Sequence, residues 1–198
     1  MAASQLHVQL MNGDQSAFAE VFTTLNPSML RIALSITGNR ASAEEIAQEA
    51  WLSVIENLDK YRGDAPLRHW ILRILSNKAL TRATRDGKTR NFASPESNGP
   101  EKFTETGDWA VAPSLWEEVT PERILAGRQT WELVQEAIEA LPNSQQAILS
   151  LLENEKMSSA ECADVLGMTA ANVRVQLHRA REKIRQVLDA ELKNRNKM

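Results

Sequence analysis

The stretch from Ser158 to Leu188, SSAECADVLGMTAANVRVQLHRAREKIRQVL, constrains this chain most, because its punctuation predicts two helices meeting at a tight turn. Ser158 and Glu161 have capping-box spacing and open a short helix. Gly167 suits the positive φ of a helix end. Thr169 stands where it can cap a second helix. In that helix Val173, Leu177, Ala180, Ile184 and Leu188 recur at spacings of three and four, which predicts one buried stripe. Asn172, Arg174, Gln176, His178, Arg179, Arg181 and Lys183 occupy the other side. A helix with a dry stripe and a basic, amide-bearing face can lie in the DNA major groove. An ordinary amphipathic helix with a solvated charged face fits the same pattern, so the motif alone leaves both readings open.

Charge distribution bears on that choice. The 198 residues carry a net charge of −3, which as an average argues against a polyanionic partner. The average conceals two basic islands, +7 over residues 60–90 and +5 over residues 169–198, in an otherwise acidic chain. Local potential, not the total, decides where a polyanion docks.

Strand-type alternation of β-branched and aromatic residues is nearly absent, so the expected fold is all-α. Residues 13–86 read as one compact helical unit. A helix begins near Ser16 and Asn26-Pro27 interrupts or restarts it. Met29 to Thr37 ends at the turn pair Gly38-Asn39; Ser42, with Glu45, caps the next helix, which runs to about Leu58. Asp59 to Pro66 is a loop by its Gly, Pro and Asp content, and a last helix runs from Leu67 to about Arg85. Residues 87–120 are rich in Gly, Pro, Ser, Thr, Asn and Glu and read as a flexible linker, in which Trp109 and Trp116 are out of place. Helical pattern resumes at Pro121 and continues, with a break at Pro142, to about residue 190.

The first unit holds two chemically suggestive surfaces. In AEEIAQEAWLSVIENL, Ile46, Ala47, Ala50, Trp51, Val54, Ile55 and Leu58 take one side, and Glu44, Glu45, Gln48 and Glu49 collect on the other. That acidic side suits a basic protein partner or plain solvation. Further on, Lys78, Arg82 and Arg85 fall at i, i+4 and i+7, a row suited to tracking phosphates. Arg73 and Asn77 share a neighbouring face, and Tyr61 stands in the preceding loop, where an aromatic ring suits unstacked bases. Tyr61 and Trp70 fit a core role as well.

No catalytic constellation is present. His7, His69 and His178 are far apart, no pair has metal-ligand spacing, and a Gly-rich phosphate loop is missing, so neither an enzyme nor a metal or cofactor site is expected. The single cysteine, Cys162, reads as a small buried hydrophobe in a reducing compartment. With no apolar run of membrane-spanning length and no visible signal peptide, a cytoplasmic protein without membrane insertion is expected.

These residues together resemble the extracytoplasmic-function (ECF) sigma factors, the small bacterial initiation factors that keep only the second and fourth sigma regions. GDQSAF, AEEIAQEAW, YRG, WIxRI, Asn77, LPxxQ, the Gly turn and LHRAR stand in the family's order between about Gly13 and Leu188. The resemblance implies a region 2 bundle over 13–86, a linker over 87–120 and a region 4 helix-turn-helix over 121–190. It implies that Glu44, Glu45, Gln48 and Glu49 dock on the β′ clamp helices of core RNA polymerase, with the second domain on the β flap. It assigns the minus-ten element of promoter DNA to Lys60, Tyr61, Arg62, Gly63, Asp64, Arg73, Asn77, Lys78 and Arg82, the loop taking up a flipped base. It assigns the minus-35 element to Thr169, Asn172, Arg174, Val175, Gln176, His178 and Arg179. The linker would thread towards the polymerase active site, and an anti-sigma factor is the expected inhibitor.

Some positions depart from the family pattern. Thr81 stands where Asp is common, and Gln146 where Arg is frequent. Gln176 replaces a frequent Arg and Val175 a small polar residue; Gln pairs with adenine and Val touches a thymine methyl, so both are expected to shape promoter choice. Two other functions compete. A stand-alone helix-turn-helix regulator leaves the acidic helix and the Tyr61 loop without purpose. A sigma mimic that sequesters an anti-sigma factor has no need of two basic islands.

Overall fold

A computed structural model of the chain describes residues 2–87 and 131–195, with side chains described over 6–87 and 131–190. Most of the expected linker, with Trp109 and Trp116, and the resumption of helix at Pro121 lie outside the described residues. Among those described, every regular element is helical: α1 (Ala2–Met11), α2 (Gln15–Thr37), α3 (Arg40–Glu56), α4 (Leu67–Arg85), α5 (131–139), α6 (Asn143–Leu149), α7 (Ser159–Leu166) and α8 (Ala170–Arg195). A 3₁₀ turn, Leu58–Lys60, follows α3, and a π-helical turn, Ser150–Asn154, extends α6.

Capping chemistry sets most boundaries. The Asp14 carboxylate accepts from the backbone N–H groups of Ser16 (2.9 Å) and Ala17 (3.2 Å) and so starts α2. The Ser16 hydroxyl, followed by these backbone donors, holds the Asp14 carboxyl below the usual range. Gly38, at φ 63°, ends α2, and the Asn39 side chain accepts from Ser42 N–H (2.9 Å) to start α3. Asn39 is therefore the cap, three residues before the expected Ser42. The interruption expected at Asn26-Pro27 is also absent, since α2 runs unbroken through Pro27. An interior proline costs about 3 kcal/mol. Met29, Ile32, Ala33 and Ile36, all fully buried on the same helix, offset it, and Asn26 accepts a hydrogen bond from Trp51 Nε1 (3.1 Å). Tertiary packing overrides the local breaker.

Helices α2, α3 and α4 pack on one another, with α1 across α2 and the 3₁₀ turn. Ile46, Ala47, Ala50, Trp51 and Val54 of α3 face this core, whereas Ile55, expected beside them, is 56% exposed. The second region is a smaller assembly of α6, α7 and α8. Its predicted grammar is present: Ser158 and Glu161 make a reciprocal capping box, Gly167 has φ 62°, and Thr169 Oγ1 accepts from Asn172 N–H (3.1 Å). Cys162 is fully buried, and burial pushes its thiol up to about 12, so it stays a protonated, inert side chain at neutral pH.

The sequence gives no warning that the two regions are docked. Helix α2 packs on α6 and the π turn, α4 packs on α7, and the buried apolar side chains of both regions form one continuous cluster. Asn143 Nδ2 donates to Ile36 O (3.1 Å) beside Gly38, where a Cβ would come within 3.1 Å of the same amide nitrogen. Glycine here serves both the left-handed turn and the close approach.

Candidate nucleic-acid interface

The Asp59–Pro66 loop leaves the 3₁₀ turn and bends at Gly63, φ 79°. Its shape is fixed by Tyr61. That hydroxyl donates to Ala65 O (2.6 Å), closing the loop on itself, and the ring lies 5.4 Å from Trp70. Tyr61 is 8% exposed; burial, and then the negative charge of Asp64, push its phenol above the ordinary range. The ring is thus mostly a wall of the loop, with little open face for stacking. Beside it lies a cavity of about 230 Å³ whose lining includes Lys60, Arg62, Asp64, Trp70 and Arg73, with Asp164 of α7 on its margin. Aromatic and polar groups around a recess of this size suit one unstacked base.

Along α4, Arg73 and Asn77 are exposed while Lys78 and Arg82 are half-buried. Glu44, Glu45, Gln48 and Glu49 are all exposed on α3, as expected. The two faces are not separate, however. Arg82 lies 3.3 Å from Glu45 and Lys78 lies 3.8 Å from Glu49, across a second cavity of about 370 Å³ that Asn77, Thr81 and Arg85 also line. The row expected to track phosphates is held by the carboxylates expected to meet a protein. Thr81 donates back to Asn77 O (2.7 Å), its own helix.

At the start of α8 and along it, the cap Thr169 and also Arg174 and Arg179 are exposed, and Asn172, Val175 and His178 are half-buried. Gln176 requires a correction. It is 5% exposed and its Oε1 accepts from Gln145 Nε2 (3.1 Å). The reason is register: 176 lies three residues after Val173 and four before Ala180, which places it on the edge of the dry stripe. A buried, paired amide does not meet a base edge. Arg181 and Lys183, also on the expected outer side, are tied to the region's own helices, Arg181 to Glu153 (3.0 Å) and Lys183 to Ala140 O (3.4 Å). Gln146, which stands where Arg is frequent, donates to Glu139 O and Leu141 O (both 2.9 Å) and so caps the end of α5.

The docked second region reaches the first region's cavity. Asp164 meets Arg73 at 2.9 Å, and Glu161 meets His69 Nδ1 at 3.2 Å. Sequence reasoning missed both contacts, and also missed α1, whose Leu6 and Leu10 at i, i+4 were the available signal. Among the described residues no cluster of three or more His, Cys, Asp or Glu is placed to hold a metal ion, and no helix is long and apolar enough to cross a membrane.

Two family models match the chain: Sigma-70 region 2 over residues 21–89 and Sigma-70 region 4 over residues 131–184. Among curated proteins it is 26% identical to the ECF RNA polymerase sigma factor SigW of Bacillus subtilis over 91% of this chain and 93% of that one. It is 27% identical to the RNA polymerase sigma-H factor of Pseudomonas aeruginosa, over 93% and 92%. Its fold is shared with CnrH, solved in complex with the cytosolic domain of CnrY (TM-score 0.57, 23% identity, 96% of this chain and 99% of that one). It is shared also with the sigma factor RpoE of Bartonella quintana, solved with the anti-sigma factor NepR (TM-score 0.55, 16% identity, 87% and 96%).

Proposed function

The chain belongs to the extracytoplasmic-function family of RNA polymerase sigma factors, and from that premise we propose how its surfaces divide the opening of a promoter. It is a sigma factor, and the family is one of non-catalytic initiation factors. The first region, residues 13–86, reads the minus-ten element. The cavity beside Tyr61 accepts one base turned out of the duplex, with Lys60, Arg62 and Asp64 forming its loop side, Gly63 supplying the bend of that loop, and Trp70 and Arg73 forming its helix side. Arg73, Asn77, Lys78 and Arg82 hold the phosphates of the adjoining strand. The second region, within 121–190, places α8 in the major groove of the minus-35 element through Thr169, Asn172, Arg174, Val175, His178 and Arg179. Gln176 supports that helix from inside.

Glu44, Glu45, Gln48 and Glu49 engage the β′ clamp helices of core polymerase, and the second region engages the β flap. An anti-sigma factor covers these surfaces in the resting cell, and the protein works in the cytoplasm. The observation that carries this reading is a base-sized recess beside the basic side chains of α4, in a chain that also holds a complete helix-turn-helix. Extracting a base costs a few kcal/mol, so a recess that receives it is needed as well as charge.

Incubation of the protein with core polymerase and a promoter library tests it. Specific open complexes are the expected product. A shift of duplex DNA without polymerase, and no opening with it, would instead identify a stand-alone regulator. Failure of both would identify a decoy for an inhibitor.

A further inference from the structure

Helix α1 precedes the residues that the region 2 family model matches, yet it touches the loop that carries the proposed base recess. His7 projects from α1 onto Tyr61: the ring centroids are 4.9 Å apart and the planes stand at 86°, an edge-to-face pair. On its other side Tyr61 leans on Trp70 at 5.4 Å, and its hydroxyl closes the loop through Ala65 O. The Tyr61 ring therefore has support from two rings, one on α1 and one on α4.

The anchoring of α1 makes this contact rigid. Leu10 is buried, Leu6 packs against the core, and the chain turns from α1 into α2 through Gly13, φ 75°, with Asp14 N–H donating to Gln9 O (3.0 Å). The next residues are fixed by the Asp14 cap. His7 Nε2 is buried and has no hydrogen-bond partner among the described residues. The imidazole thus contributes its ring and not that nitrogen's hydrogen bond, at a place where an alkyl side chain would avoid a desolvated polar atom. An edge-to-face aromatic contact with Tyr61 is what an alkyl group does not supply.

We propose that His7 is a positioning residue for the promoter-reading loop: through Tyr61 it holds the Lys60–Ala65 segment in the shape that discriminates the captured base. His7 does not line the recess, so its influence on the captured base runs through Tyr61. The proposal rests on the assignment of that loop to the minus-ten element, and the experiment separates the two.

Holoenzyme is assembled from core polymerase and the full chain carrying His7→Ala, His7→Phe or Asp64→Ala. Open-complex formation is measured on four promoters that differ only at the captured base. His7→Ala is expected to compress the preference among bases by roughly three- to tenfold, the scale of one aromatic edge contact. His7→Phe, which keeps an aromatic ring against Tyr61, is expected to restore it. Affinity for the upstream duplex element stays at the unsubstituted level in both. A preference unchanged in His7→Ala, or unrestored in His7→Phe, while Asp64→Ala alters it, overturns the positioning role alone. If Asp64→Ala and His7→Ala both leave the preference intact, the loop does not read that base, and the assignment falls together with this proposal.

Discussion

Along α4 of the first region three basic side chains already have carboxylate neighbours: Arg82 has Glu45, Lys78 has Glu49, and Arg73 has Asp164 of the other region. On α8 of the second region the Arg174 guanidinium reaches the carbonyl of Ala170 on its own helix, and Thr169 and Asn172 are settled by a cap. The first surface must exchange partners before it can hold a phosphate backbone. The proposed seat of the second in a major groove needs no such exchange at Thr169, Asn172 or Arg174. Exposed ion pairs contribute about 0–1 kcal/mol each, so the exchange is small per residue. Its logic is sequential: whatever draws Glu45 and Glu49 away, such as a basic protein surface, releases Lys78 and Arg82 at the same time. Under the proposed assignment of these surfaces, polymerase docking and strand binding are coupled through Glu45, Glu49, Lys78 and Arg82.

The largest expected effect tests whether the contrast concerns surfaces only, with the interiors continuous. Ile148 of the second region is fully buried in the shared apolar cluster. Ile148→Ala is expected to cost about 2–5 kcal/mol, and denaturant unfolding should remain a single transition for both regions. Two separated transitions in the unsubstituted protein would break the claim of one core. Next, Gln176→Leu leaves the Gln145 amide without its partner and is expected to cost roughly 1–3 kcal/mol. Base preference at the minus-35 element should be unchanged; an altered preference with intact stability would return Gln176 to the reading face.

A smaller effect sharpens the contrast in local support. Ser158→Ala removes the cap of α7 and is expected to cost about 0.5–2 kcal/mol, seen as faster amide exchange in α7 while the exchange of α3 is unaffected. The same box sets a pH dependence. Backbone and then side-chain hydrogen bonds from Ser158 hold the Glu161 carboxyl below the usual range. A depressed folded-state value means the contribution is complete above the ordinary glutamate range and is lost as pH falls through the depressed value. Thermal scans from neutral to strongly acidic pH should show Ser158→Ala losing less stability than the parent across that acid window. The smallest effect on stability is that of Asp164→Ala, about 0–1 kcal/mol for an exposed pair, yet it clears the margin of the base recess. Open complexes should form faster with this variant, and an unchanged rate would show that Asp164 does not restrict the recess.

Much of the second region was legible because its signals are local. Ser158, Glu161, Gly167 and Thr169 each act within three or four residues, so spacing alone predicts them. Gln176 was misplaced because a residue at the edge of a stripe is assigned by its polarity until a partner such as Gln145, thirty-one positions away, is seen. Pro27 misled for the same reason in reverse: the burial that tolerates it is tertiary. The docking of the regions depends on Arg73, Asp164, Asn143 and Ile36, pairs with no short-range signature. Helix α1 is amphipathic over too few turns to stand out, and its meaning comes from Tyr61, fifty-four positions on.

The division of labour between the two regions is tested most directly by photocrosslinking. Holoenzyme is bound to promoter DNA carrying a photoreactive base, first in the non-template strand of the minus-ten element and then in the minus-35 element, and the crosslinked peptides are mapped. The account predicts adducts within Lys60–Arg82 from the first probe and within Thr169–Arg179 from the second. Adducts from both probes on the second region, or no minus-ten adduct in complexes that have opened, would contradict it.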